Sequence, residues 1–172
     1  MIKIFGAVLI VLASTLLGFI FAENARKRLV QLREIQSALI QLQNEIFFTR
    51  TTLPDACDSV AGKSKYPINI IFERVSKQLK SNGSNSVYDA FLSALSEEVE
   101  ENCLTKEDKE ILLDLAKALG ESDLDGHKKV FSLSEHNLKT IIQTLEGNVD
   151  KNVKMYRFLG FSLGAAVAII LI

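Results

Sequence analysis

Tryptophan is absent from this chain, and proline, cysteine and histidine each occur only twice in 172 residues. Each shortage excludes something. Cys57 and Cys103 stand alone, with no CxxC pair, so they read as reduced thiols acting as small buried hydrophobes in a cytoplasmic domain. His127 and His136 lie outside any HExxH pattern, so no metal site is expected. GxxxxGK[ST], GxSxG and recognisable paired carboxylates are missing as well, which leaves no signature of an enzyme and no call for a cofactor or small-molecule substrate. Lys and Arg total 20 against 21 Asp and Glu, a balance that implies no nucleic-acid partner. Negative charge is missing from both ends: every Asp and Glu lies between Glu23 and Asp150.

The ends are apolar instead. Residues 4–22, IFGAVLIVLASTLLGFIFA, carry no charge and as a helix would reach roughly 28 Å, close to the hydrocarbon thickness of a bilayer. A cleaved signal peptide has a shorter apolar core than this, and Ile20 with Ala22 makes a poor cleavage pair. An uncleaved span is expected. Residues 158–172, FLGFSLGAAVAIILI, are also uncharged and reach about 22 Å. Met155 and Tyr156 extend this second span, and Arg157 can snorkel towards the headgroups.

Basic residues set the expected topology. Arg26, Lys27, Arg28 and Arg33 follow the first run, and Lys151, Lys154 and Arg157 precede the second. The positive-inside rule puts both clusters in the cytoplasm, so residues 23–157 form a cytoplasmic domain between a transmembrane helix at 1–22 and another at 158–172. Inside the runs, Ser14 with Gly18 and Gly160 with Gly164 are small residues four apart, a spacing that allows close helix approach in lipid.

The middle reads as all-α, a bundle of about six helices. Leu32, Ile35, Leu39, Leu42 and Ile46 are spaced three and four apart, and nothing breaks the pattern before about Phe48. Pro54 opens a short helix ending near Gly62. Ile68, Ile71, Phe72, Val75 and Leu79 mark a third helix after Pro67, and Val87, Phe91, Ala94, Leu95 and Val99 a fourth. Thr105 with Asp108 resembles a capping box ahead of Ile111, Leu112, Leu115 and Leu119, with Gly120 as the stop. Ser122 or Asp123 caps a long last helix whose inward positions are Val130, Leu133, Leu138, Ile141, Leu145, Val149 and Val153. Asp123 and Asp125 beside His127 read as an acidic helix start, not a metal cluster. Because the first and last helices are expected to leave the same face of one bilayer, they should run antiparallel.

The segment 96-SEEVEEN-102 concentrates Glu97, Glu98, Glu100 and Glu101. It reads as a solvated helix end, with docking of a basic partner as its alternative use.

Several stretches carry a resemblance: 3-KIFGAVLIV-11 with Gly18, 31-QLREIQSALIQLQNEIFF-48, 51-TTLPDA-56 and, most specifically, 118-ALGESD-123. Together they resemble the stage III sporulation protein AB family of endospore-forming bacteria over nearly the whole chain. Leu119, Gly120, Ser122 and Asp123 match its L-G-x-S-D turn. Two positions depart from the family pattern: His127 stands where relatives have glutamine, and Thr52 where many have proline. The resemblance implies a mother-cell membrane protein of the channel between mother cell and forespore, with its soluble domain facing the cytoplasm. That domain would be similar to the F domain of type II secretion platforms. It would act as a scaffold coupling the cytoplasmic ATPase, stage III sporulation protein AA, to the channel proteins. A second expectation, from another class, is a membrane-tethered regulator that binds a soluble partner through residues 97–101.

Overall fold

The computed structural model describes the backbone of residues 2–81, 83–121 and 126–147, and the side chains of Ile20 and residues 23–81, 83–120 and 126–147. Every regular element among them is an α-helix, and there is no strand. Five helices are α1 (Ile2–Phe47), α2 (Leu53–Lys63), α3 (Ile68–Lys80), α4 (Val87–Ser96) and α5 (Lys106–Glu121). A sixth, α6, covers residues 126–147.

The chain divides into two units. One comprises Met1–Leu29 and Gln143–Ile172, the other Val30–Ile142. The described backbone of the first is helical throughout: the opening of α1 and residues 143–147. Both charge-free runs belong to this unit. All of 158–172 lies outside the described residues, and so do the side chains of 4–22 apart from Ile20. Among the described residues, no helix is long and apolar enough to cross a membrane.

The second unit is built on the later half of α1. No proline interrupts that helix, and its apolar residues recur at helical spacing. Leu32, Ile35, Ala38, Leu39 and Leu42 are fully buried. The short helices form a chain of neighbours, with α3 packed on both α2 and α4, and α4 on α5. Phe72 of α3 meets Phe91 of α4 edge to face, with centroids 6.0 Å apart. Ser76 donates a hydrogen bond to the Pro54 carbonyl at 2.8 Å, and Gln78 donates to the Ser93 hydroxyl at 2.8 Å. These bonds satisfy polar groups at the α2–α3 and α3–α4 contacts. The end of α1 sits against the start of α6, where the Phe47 and Phe131 rings meet at 5.9 Å.

Carboxylates on α1 hold the α2 region. Glu45 accepts from the Ser59 hydroxyl at 2.6 Å, the Lys63 ammonium at 3.1 Å and the Thr51 hydroxyl at 3.1 Å. These donors, Ser59 first, keep its pKa below the ordinary carboxylate value. Glu34 accepts from the backbone N–H of Lys65 at 2.8 Å. On the other side of α2, Lys80 bridges Asp55 and Asp58, each at 3.1 Å. All three groups are exposed, so this pair of bridges contributes little to stability.

Local signals behave as their chemistry dictates. The Thr105 N–H donates to the Asp108 carboxylate at 2.9 Å, and the Asp108 N–H donates back to the Thr105 hydroxyl at 3.4 Å. That reciprocal cap starts α5. Ser86, in the turn before α4, caps that helix through the Asp89 N–H at 3.0 Å. Pro54 is the second residue of α2, where its missing N–H costs nothing.

Several expectations need correction. Gly120 does not stop α5, because the helix continues to Glu121 and no described glycine has positive φ. Val99 lies beyond the end of α4 at Ser96. On α6, Leu133 is 59% exposed, and the buried row is Phe131, Ser134, Leu138 and Ile142. Leu138 is buried as expected, but packing around Phe131 places Phe131 and Ile142 inward beside it instead of Leu133.

Removing the Phe72 ring should cost about 3–5 kcal/mol, the range for large-to-small core changes, read as a shift in the chemical denaturation midpoint. Phe48→Ala, at a site 82% exposed, should shift stability by less than about 0.5 kcal/mol.

Candidate functional site

Of the acidic residues singled out above, Glu97 caps the end of α4, as a helix end would, while Glu98, Glu100 and Glu101 lie beyond it. They lie in the connection between α4 and α5. Glu97 closes α4 by donating its backbone N–H to the Ser93 carbonyl, and the chain then runs without helix to Thr105. Glu101 takes a left-handed conformation, φ 60°, which turns the chain sharply. The Asn102 side chain caps the turn by accepting the Leu104 N–H at 3.1 Å.

Backbone groups of this loop are tied to three other elements. Gln31 of α1 donates its amide N–H to the Glu101 carbonyl at 2.7 Å, while its amide oxygen accepts the Cys103 N–H at 2.9 Å. Gln31 is only 6% exposed, so both bonds form in a largely dry setting. Tyr66, between α2 and α3, donates its hydroxyl to the Glu100 carbonyl at 2.8 Å. Arg74 of α3 donates to the Glu97 carbonyl at 3.4 Å and pairs with its carboxylate at 3.1 Å. With the loop's backbone held from inside, Glu97, Glu98, Glu100 and Glu101 are exposed.

Glu97, Glu98 and Glu100 rim a shallow hollow of about 530 Å³, lined also by Ser96, Asn102 and Lys109 among others. The Lys109 ammonium is held by the Leu95 carbonyl at 2.9 Å. Chemically the hollow offers carboxylates and carbonyls to a cationic partner. No nucleophile stands next to a base there. Among the described residues there is no group of three or more His, Cys, Asp or Glu able to hold a metal ion.

Other candidate residues fall elsewhere. Arg26 and Arg33 are exposed, and Lys27 and Arg28 half-buried; Lys27, Arg28 and Arg33 are each engaged by a neighbour. Lys151, Lys154, Arg157, Gly160 and Gly164 lie outside the described residues, as do the side chain of Ser14 and the surroundings of Gly18. In the L-G-x-S-D turn, Leu119 is half-buried and Gly120 lies in the last turn of α5, while Ser122 and Asp123 lie outside the described residues. A Cβ added at Gly120 would meet Val87 at 3.7 Å, an ordinary contact, so packing does not demand glycine there. Sequence reasoning missed the anchors Gln31 and Tyr66. Gln31 did carry a signal: it sits one turn before Ile35, a polar residue on the buried stripe. Tyr66 carried none.

Cys57 is fully buried and Cys103 half-buried, and neither is in a disulfide. Burial pushes the Cys57 thiol from 9.0 up to about 12, with Asp58 adding to the shift.

Among the described residues an all-α fold of six helices, the first of them long, defines the class of protein. Its family is equally plain. The model of the stage III sporulation protein AB family matches residues 3–172. Stage III sporulation protein AB of Bacillus subtilis (strain 168) is 32% identical over 171 residues, covering 99% of each chain. A solved structure of stage III sporulation protein AB superposes with a TM-score of 0.65 at 27% identity, covering 72% of this chain and 96% of that one. The chain belongs to the stage III sporulation protein AB family, and its biological setting is therefore sporulation.

Gln31→Ala should leave the Glu101 carbonyl and Cys103 N–H without partners and cost about 2 kcal/mol. A thermal melt should show the loss, and hydrogen exchange should localise it to residues 97–105. The Cys57 shift sets a pH dependence. Up to about pH 9 the thiol is neutral in both folded and unfolded chains. Between pH 9 and about 12 only the unfolded thiol ionises, so stability should fall as pH rises. Cys57→Ala should flatten that part of the profile.

Proposed function

We propose that the chain is a non-enzymatic membrane platform of the mother cell–forespore channel complex. It is rooted by helices at 1–22 and 158–172, and its domain at 23–157 faces the cytoplasm. In this reading it couples the cytoplasmic ATPase, stage III sporulation protein AA, to the channel proteins, and it resides in the mother-cell membrane around the forespore. One observation carries the reading: family membership extends across both charge-free runs, from residue 3 to residue 172. The two basic clusters support it, since Arg26 to Arg33 and Lys151 to Arg157 flank those runs on the side of the domain. Antiparallel packing of α1 and α6 along their length belongs to the same reading, supported by the contact between the end of one and the start of the other. Ser14, Gly18, Gly160 and Gly164 would then provide close approach between spans.

The domain's construction suits a scaffold. Its polar groups are spent on fastening helices to one another, as at Glu45, Lys80 and Gln31. A platform needs rigid faces at set positions, and this network provides them. The second reading, a membrane-tethered regulator that docks a basic partner, is favoured by the outward display of Glu97, Glu98, Glu100 and Glu101. Reversing these four charges separates the two: the regulator loses its soluble partner, whereas the platform keeps its contacts with the ATPase and channel proteins.

Two experiments test the platform directly. A deletion strain should complete engulfment yet lose late forespore gene expression; a strain with normal late expression would refute the role. For topology, Ser81→Cys in a chain lacking Cys57 and Cys103 should resist a membrane-impermeant maleimide in intact cells and react after lysis. Reaction in intact cells would put the domain on the other side.

A further inference from the structure

The end of α1 presents a second surface, unrelated to the acidic loop. Phe48, the residue after the helix, is 82% exposed. It borders a hollow of about 710 Å³ lined by Ile46, Phe47, Phe48, Arg50, Thr51 and Lys128. The surface is built, not frayed. The Phe48 and Thr49 N–H groups both donate to the Asn44 carbonyl, and the Thr51 N–H donates to the Glu45 carbonyl at 3.0 Å. The Thr51 hydroxyl bonds the Glu45 carboxylate. Arg50 stands between these fixed points in a left-handed conformation, φ 55°, which arginine rarely adopts. Phe47 packs edge-on against Phe131, and the Lys128 ammonium lies 5.8 Å from the Phe47 centroid.

Among the described residues that line this hollow, Arg50 and Lys128 are the charged ones, and the Glu45 carboxylate at its edge is taken up by the Thr51 hydroxyl. The Arg50 guanidinium makes no hydrogen bond or ion pair among the described residues, and both Arg50 and Lys128 are exposed. An exposed aromatic beside an unengaged arginine is the composition that dominates binding energy at protein interfaces. A single protruding side chain fits a concave hollow better than a flat lipid surface does.

We propose that Phe48, Phe47, Arg50 and Lys128 form a docking site for an acidic segment of another protein. That segment would seat one aromatic or aliphatic side chain in the hollow and place its carboxylates on Arg50 and Lys128. The fixed turn pre-organises the site, so little conformational entropy is lost on binding. The site's existence does not depend on how the chain is rooted.

The test uses the full chain in sporulating cells, with a photoreactive phenylalanine analogue at position 48 and, as control, at exposed Lys117. The crosslinked peptide is sequenced by mass spectrometry. The expected product is a peptide of a different protein in which Asp and Glu outnumber Lys and Arg beside an apolar side chain. Capture alone does not support the site. Arg50→Glu with Lys128→Glu should cut the yield roughly tenfold, the loss of one strong contact. Changing the captured carboxylates to lysine should restore it. A lipid adduct, a second copy of this chain, a basic peptide, a yield no higher than at Lys117, or indifference to the charge reversals would each overturn the proposal. Circular dichroism of the variants guards against misfolding, and an unchanged spectrum with unchanged yield counts against the site.

Discussion

A single buried amide ties the start of the domain's sequence to the connection between α4 and α5. Gln31 uses its donor and its acceptor on one loop, spanning 70 residues to Glu101 and 72 to Cys103. The loop has no helical ladder of its own, so its backbone groups need partners from elsewhere. Gln31 provides them from the buried stripe of α1, in a setting that strengthens the bonds and makes their loss costly. Once Glu101 and Cys103 are placed, Thr105 follows within two residues and its reciprocal cap with Asp108 starts α5. The origin of α5 thus depends on a side chain far away in the sequence.

The same logic runs through the rest of the domain. Apolar burial along Leu32, Ile35, Leu39 and Leu42 supplies the main driving force. It is not directional, and by itself would allow the short helices to slide. Polar fastenings set the register. Glu45 grips Thr51 and two residues of α2, Glu34 holds the chain entering α3, and Ser76 and Gln78 link α3 to α2 and α4. In the platform proposed above, this arrangement would hold partner surfaces at fixed separations. Two such surfaces emerge with opposite charge. One is the carboxylate rim of the α4–α5 loop; the other is the cationic, aromatic end of α1.

Much of the architecture was legible beforehand. Helices are local objects, so their periodicity, their punctuating prolines and the Thr105–Asp108 pair could be read directly. The failures have a common cause. Leu133 of α6 reads as inward because Leu133 and Phe131 both suit a helical face, and only the aromatic contact with Phe47 chooses between them. The acidic segment reads as a helix end, which holds for the cap Glu97 and not for Glu98, Glu100 and Glu101, because nothing local reveals that α4 stops at Ser96. The fourth helix was extended to Val99 for the same reason.

The amino-acid sequence by itself determined the all-helical class, the uncharged ends, the distribution of positive charge and the family. These follow from composition, short-range periodicity and a motif, and need no knowledge of which residues meet. The tertiary structure alone decided that Gln31 and Tyr66 hold the acidic loop by its backbone while its carboxylates face outward. It alone brought Phe48, Arg50 and Lys128 around one hollow. Both results join residues tens of positions apart, and such contacts are set by how the helices pack, not by the pattern within any one of them.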